Sequence, residues 1–235
     1  MPISQRPTNL PRERCAILLA AGEGRRLRPL TAKTPKPLVK VGGVTLLDRT
    51  FADAAQLGFH DPDDIAVNAH HLADQIVTAV DRRAHIVHEP RLLGTAGTIV
   101  ALADWIGDRD AVIFNADAYR SGGTLAPLLD PEDSVHPRLL VVDDADRGDF
   151  GGRWHFAGIS VLPNPHVRQL AETLVAVPKT KTPGLYKHVW RDEDRRGRLQ
   201  LVDYGGTFID CGTSADLAAA NEHAATNEPS RHLTR

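Results

Sequence analysis

Cysteine is scarce in this chain: Cys15 and Cys211 are the only two among 235 residues, too few for the disulfide framework of a small secreted domain. Two buried thiols in a reducing compartment are expected, with no chemistry assigned to either. Long apolar runs are missing as well. No stretch approaches the roughly 20 residues of a membrane span, and the start Met1-Pro-Ile-Ser-Gln-Arg-Pro7 has no apolar signal core. A cytoplasmic protein with no membrane partner is therefore expected. Nor does one sign of charge dominate: 28 Lys and Arg against 30 Asp and Glu leave a net −2, which argues against nucleic acid as a partner. There is no hexapeptide periodicity and no low-complexity tract. What remains is an ordinary globular composition, 42% hydrophobic and 25% charged, enough for one large α/β core.

Against that background one segment stands out. The apolar run 15–21 reads as a buried parallel strand, and it stops at Gly22 and Gly24, followed by Arg25, Arg26 and Arg28. Backbone N–H groups and fork-shaped cations converge where the strand ends, an arrangement suited to the polyphosphate of a nucleotide. It is neither of the two familiar glycine loops. Leu27 stands where a dinucleotide fingerprint needs its third glycine, and no Gly-Lys-Ser/Thr follows. Pro35 and Pro37 bracket Lys36, which predicts a stiff, non-helical segment.

Residues 1–13 are polar, rich in proline and aperiodic, and read as a loose arm; 226–235 read as an untethered tail, leaving 14–225 as the folded unit. Within it, helices are expected over 45–58, 72–80, 93–105, 167–174 and 214–225. Strands are expected over 64–68, 84–88, 110–115, 138–142, 156–162, 199–202 and 206–209. The alternation predicts an α/β fold, a doubly wound, mostly parallel, Rossmann-like mixed sheet with a small substrate-binding lobe. Ligands of such sheets sit at the carboxyl ends of strands, where Gly22, Asn68, Glu89 and Asp117 cluster. Asp117, directly after an apolar strand, is placed either to start a Mg²⁺ coordination sphere or to cap the next turn. Asp210 is a second strand-end carboxylate, followed by Gly212 and a Thr213/Ser214 helix cap, while Asp216 suits the helix N-terminus. His70 and His71, adjacent on a helix, point in different directions and are not paired as metal ligands.

The run Ala16-Ile-Leu-Leu-Ala-Ala-Gly-Glu-Gly-Arg-Arg-Leu-Arg-Pro-Leu-Thr31, with Thr34-Pro-Lys-Pro-Leu38, resembles the signature of the sugar-phosphate nucleotidyltransferases. That resemblance implies a nucleoside triphosphate held by Leu19, Ala20, Ala21, Gly22, Glu23, Gly24 and Arg25, with Arg26 on its phosphates and Lys36 beside the reacting phosphorus. Asn115-Ala-Asp117 and Phe208-Ile-Asp-Cys-Gly-Thr-Ser-Ala-Asp216 are similar to the two metal motifs, which makes Asp117 and Asp210 the Mg²⁺ ligands; Phe208 replaces the family's usual tryptophan. Asn68 and Asn115, with Gly94, Thr95 and Gly97 of a base-reading loop, complete the nucleotide set. Asp149, Gly158 and Ile159 fall in segments similar to the sugar-side elements of the small uridylyltransferases acting on N-acetylmuramate 1-phosphate, to which 184–190 is also similar. The implied reaction joins an NTP and a sugar 1-phosphate to give an NDP-sugar and pyrophosphate. Two substrate pairs stay open: UTP with N-acetylmuramate 1-phosphate, or GTP with a mannose or heptose 1-phosphate, since Leu93-Gly-Thr-Ala-Gly97 is closer to the guanylyltransferase loop; the alternative from another class is a non-catalytic regulator that binds a nucleotide sugar.

Overall fold

The computed structural model describes residues 13–130, 135–174 and 183–228; the expected arm, apart from Glu13, and the last seven residues lie outside them. The strands are β1 (Arg14–Leu19), β2 (Lys40–Val41), β3 (Val44–Thr45), β4 (Ile65–Ala69), β5 (His85–His88), β6 (Asp110–Asn115), β7 (Ala118–Ser121), β8 (Arg138–Asp143), β9 (Trp154–Leu162), β10 (Gln200–Asp203) and β11 (Thr207–Asp210). The helices are α1 (Leu46–Gln56), α2 (Ala73–Val80), α3 (Gly94–Ala101), α4 (Ala103–Ile106), α5 (Asn164–Thr173), α6 (Arg191–Arg195) and α7 (Ser214–Asn227).

Seven strands form one sheet in the order β10-β8-β9-β6-β1-β4-β5. Both pairings of β9 are antiparallel and every other pairing in that sheet is parallel, which makes it the expected mixed, doubly wound sheet. Alternate residues of β1 feed two cores. Ala16 and Leu18 pack with Leu47 of α1 and Ile76 of α2, whereas Cys15 and Ile17 pack with Ile99 of α3 and Leu170 of α5 on the other face. A strand apolar on both sides is what two layers of helix require. α1 begins where Thr45 Oγ1 accepts the Asp48 N–H at 3.0 Å, an ordinary side-chain cap.

Four expectations need correction. The helix expected over 93–105 is two, interrupted at Leu102. The prolines do not keep Lys36 out of helical geometry: Lys36–Leu38 forms one 3₁₀ turn, since proline is tolerated in a first turn, whose N–H groups lack partners anyway. The tail is tethered at its start. α7 continues to Asn227, and Glu228 accepts hydrogen bonds from Arg49 at 2.9 and 2.8 Å and from the Tyr119 hydroxyl at 2.9 Å. Finally, the strand expected over 206–209 is present as β11 but stands outside the main sheet, paired antiparallel with β7, which periodicity did not reveal.

Both thiols are free and buried. Burial pushes Cys15 up to about 12 and Cys211 up to about 11. Neither thiolate forms near pH 8, so the native protein should resist a disulfide-exchange reagent and release two thiols only on unfolding; fast native labelling would contradict this burial. Among the described residues no helix is long and apolar enough to cross a membrane.

Candidate active site

At the carboxyl end of β1 the chain turns through residues 20–24 above a buried polar network. Asn68, at the end of β4, accepts the Ala20 and Ala21 N–H groups on Oδ1 at 2.6 and 3.2 Å. Its Nδ2 donates to Glu89 Oε1 at 2.8 Å and to Thr98 Oγ1 at 3.1 Å. Glu89 also takes the Thr98 hydroxyl at 2.6 Å and the Leu93 N–H at 2.9 Å. The loop after β1 and the start of α3 are thus tied to each other through three buried side chains. Asn68, expected in the nucleotide set, thus also supports the loop.

Removing that side chain orphans buried donors and a buried acceptor. Asn68→Ala should therefore cost about 3 kcal/mol of stability, read from urea unfolding; a loss below about 1 kcal/mol would show the network to be dispensable.

Gly24 has a left-handed backbone, φ 58°, and a Cβ there would lie 2.9 Å from Thr31 Cγ2 and 3.1 Å from Lys36 Cβ. Only glycine fits without displacing the lysine. Thr31 Oγ1 in turn donates to the Gly24 carbonyl at 2.7 Å, and His71 Nε2 lies 2.8 Å from the Thr31 carbonyl. His70 faces the Glu89 carbonyl instead, at 2.9 Å, so the two histidines diverge, although both precede α2 and neither lies on a helix as expected.

Lys36 is 4% exposed. Its Nζ donates to Asp117 Oδ2 at 2.9 Å and to Asp210 Oδ1 at 3.1 Å. The pairing of β7 with β11 brings these distant carboxylates together, since Asp210 stands opposite Ala118, the neighbour of Asp117. Burial alone would lower the lysine's pKa, but the charges of Asp117 and Asp210 outweigh it and hold the ammonium above its usual value. The exposed Arg26 reaches Asp210 Oδ2 at 3.4 Å. Two carboxylate oxygens that bond one ammonium, and so lie no more than about 6 Å apart, are a hard-oxygen donor pair suited to Mg²⁺. Among the described residues no group of three or more His, Cys, Asp or Glu could hold a metal, so such a pair needs further oxygens from phosphate or water.

A cleft of about 210 Å³ opens beside this cluster. Ten of the expected residues line it: Leu19, Ala21, Gly22, Gly24, Lys36, Asn68, Gly94, Thr95, Asn115 and Asp117. Pro37, Leu92 and Thr98 also line it and were not anticipated; Thr98, a polar residue inside an apolar helix, was the readable signal. Glu23 and Arg25 pair with each other instead of lining the cleft. Ala20 and Gly97 are buried and line none of it.

On the expected sugar side, Asp149 Oδ2 accepts the Phe156 N–H at 3.0 Å and lies 2.7 Å from His155 Nδ1. Gly158 adjoins Asn115. The side chain of Ile159 is fully buried in the core, so its expected sugar contact falls to the backbone alone. Trp190 is buried too, packed on Phe156 with ring centroids 4.9 Å apart.

A family model described as nucleotidyl transferase matches residues 15–134. N-acetylmuramate alpha-1-phosphate uridylyltransferase of Neisseria meningitidis is 37% identical over 236 residues, covering 87% of this chain and 96% of that protein. Mannose-1-phosphate guanylyltransferase of Mycobacterium tuberculosis is 33% identical over 123 residues, 49% of this chain and only 33% of that protein. Among solved structures, UDP-glucose pyrophosphorylase from Acinetobacter baumanii has the same fold, with a TM-score of 0.70 at 16% identity over 92% of this chain and 95% of that one.

Proposed function

The chain belongs to the nucleotidyl transferase family and is a sugar-phosphate nucleotidyltransferase; within that class we propose that it uses UTP and N-acetylmuramate 1-phosphate. One observation carries the chemistry: a buried ammonium held between two carboxylates at the mouth of a glycine-walled cleft. The substrate pair is supported by the identity to the Neisseria enzyme over nearly that enzyme's whole length.

On this reading the catalytic unit starts at residue 14 and runs past the expected end at 225 to Glu228, and the partners are two small molecules, a nucleoside triphosphate and a sugar 1-phosphate. The triphosphate lies against the loop after β1 where Gly22 and Gly24 line the cleft, with Arg26 beside the outgoing phosphates. A phosphate oxygen of the sugar 1-phosphate attacks the α-phosphorus in line. The bond from that phosphorus to the bridging oxygen breaks, and pyrophosphate leaves with the electron pair. Lys36 faces the charge that develops on the transferring phosphoryl group. Asp117 and Asp210 would hold Mg²⁺, which supplies neutralisation of phosphate charge when bound. Positioning and electrostatics carry the rate, and no covalent enzyme intermediate is needed.

The guanylyltransferase reading keeps one argument, the Gly94-Thr-Ala-Gly97 loop. Comparing kcat/KM for UTP and GTP with the same acceptor decides between them. A site built to pair one base edge should favour UTP by about 100-fold or more; a preference for GTP would overturn the uridylyl assignment and leave the reaction class standing.

A further inference from the structure

The ribbon that carries Asp210 also holds a buried cation that the reaction leaves unused. Arg120, in β7, is 6% exposed, and its three bonds span three elements. Nε donates to Asp53 Oδ2 of α1 at 2.8 Å, Nη1 to the Ala157 carbonyl at 3.2 Å and Nη2 to the Asn115 carbonyl at 3.4 Å. Both carbonyls flank the site. Asn115 ends the strand that delivers Asp117, and Ala157 precedes Gly158.

The ladder between β6 and β9 stops just short of that point. Its last register pair is Phe114 with Ile159, so Asn115 and Gly158 are the first residues beyond it. The guanidinium bonds the strands where the ladder has let go. Through its own backbone Arg120 also stands opposite Phe208, two residues before Asp210. One side chain thus touches the supports of Asp117 and Gly158 from within the ribbon that carries Asp210.

Gly158 is shaped to this fork. Its φ is +81°, and a Cβ would lie 2.9 Å from Arg120 Nη1. The end of an arginine ordinarily yields to such a contact, but this one is pinned by its three bonds and its side chain is 1% exposed. Stability alone does not call for a buried ion pair here, because well-packed apolar residues commonly serve as well or better. A planar fork that reaches two carbonyls at once does call for arginine, and lysine cannot reproduce it.

We propose that Arg120, neutralised by Asp53, is a positioning residue: it fixes the spacing of the β6 and β9 ends, and with it the placement of Asp117, and position 158 is glycine so that the fork can enter. The kinetic part of the test rests on the transferase reading; the exchange part does not.

The test compares wild type with R120K, G158A and the double variant. Turnover, KM for the NTP, melting temperature and amide hydrogen exchange across 115–121 are measured on each. Each single change should lower kcat about tenfold or more, the usual effect of removing a supporting partner. KM should stay within about threefold, because the nucleotide loop is held separately by Asn68. Exchange across 115–121 should rise more than the melting temperature alone accounts for. The double variant should be little worse than the poorer single, since the shorter lysine relieves the collision that the added methyl group creates while the backbone strain at position 158 is common to both backgrounds. Unaltered kcat in either single variant, or losses that multiply in the double, would overturn the proposal. If R120K does not fold, G158A decides by the same kcat criterion. If wild type turns over no NTP with any sugar 1-phosphate, the transferase reading falls; exchange across 115–121 then decides alone, and an unchanged pattern in R120K overturns the role of Arg120.

Discussion

Lys36→Ala should leave a folded protein whose kcat is lower by at least about 100-fold, the typical loss when one preorganised charge facing a transition state is removed. The lysine is placed for this and for little else. Its stem is buried, its ammonium is shared between Asp117 and Asp210, and it lines the cleft. Truncation leaves the carboxylates facing one another, and because their side chains are 42% and 33% exposed solvent screens much of the repulsion, so the stability cost is about 1–2 kcal/mol. Lys36→Met separates the two effects by keeping the stem and removing only the charge. Steady-state kinetics beside a melting curve checks both variants, and an undiminished kcat in a folded protein would remove Lys36 from the mechanism.

Asp117→Asn and Asp210→Asn should each cut turnover about 100-fold and shift the Mg²⁺ dependence to higher concentration, because amide oxygens are weak donors for a hard cation. Both should fold, since an amide oxygen still accepts from Lys36. The two variants should behave alike, as both side chains meet the same ammonium, Asp117 from the turn between β6 and β7 and Asp210 from the end of β11. Activity against Mg²⁺ concentration is the measurement. A variant with the wild-type curve would show that its carboxylate caps a turn and holds no metal.

How much of this was readable follows from which interactions are local. The strands of the main sheet announced themselves because β1, β4 and β6 are buried on both faces and hence apolar over most of their length. The glycine loop and Asn115-Ala-Asp117 were readable because strand end, glycine and carboxylate lie within a few residues of each other. The β7–β11 ribbon was not. Ala118-Tyr-Arg-Ser121 has no apolar alternation, and its strand character comes from pairing with the distant residues 207–210. For the same reason the meeting of Asp117 with Asp210 rested on resemblance and not on pattern. The burial of Lys36 was equally hidden, because lysine is ordinarily a surface residue and only its two tertiary partners make the buried position tolerable. Ile159 was assigned to the sugar from its segment, although strand alternation turns its side chain into the core beside Ala157 and Val161. Arg120 carried no sequence signal at all, since its partners Asp53, Asn115 and Ala157 lie on three different elements.

The central claim is transfer of a nucleoside monophosphate to a sugar 1-phosphate, and following the phosphorus nuclei of one reaction by ³¹P NMR tests it most directly. With UTP, Mg²⁺ and N-acetylmuramate 1-phosphate, the predicted result is loss of the triphosphate and sugar-phosphate signals together, with a nucleoside-diphosphate sugar and pyrophosphate appearing in equal amounts and nothing changing when the sugar phosphate is left out. Release of inorganic phosphate, or consumption of nucleotide at the same rate without any sugar 1-phosphate, would contradict it.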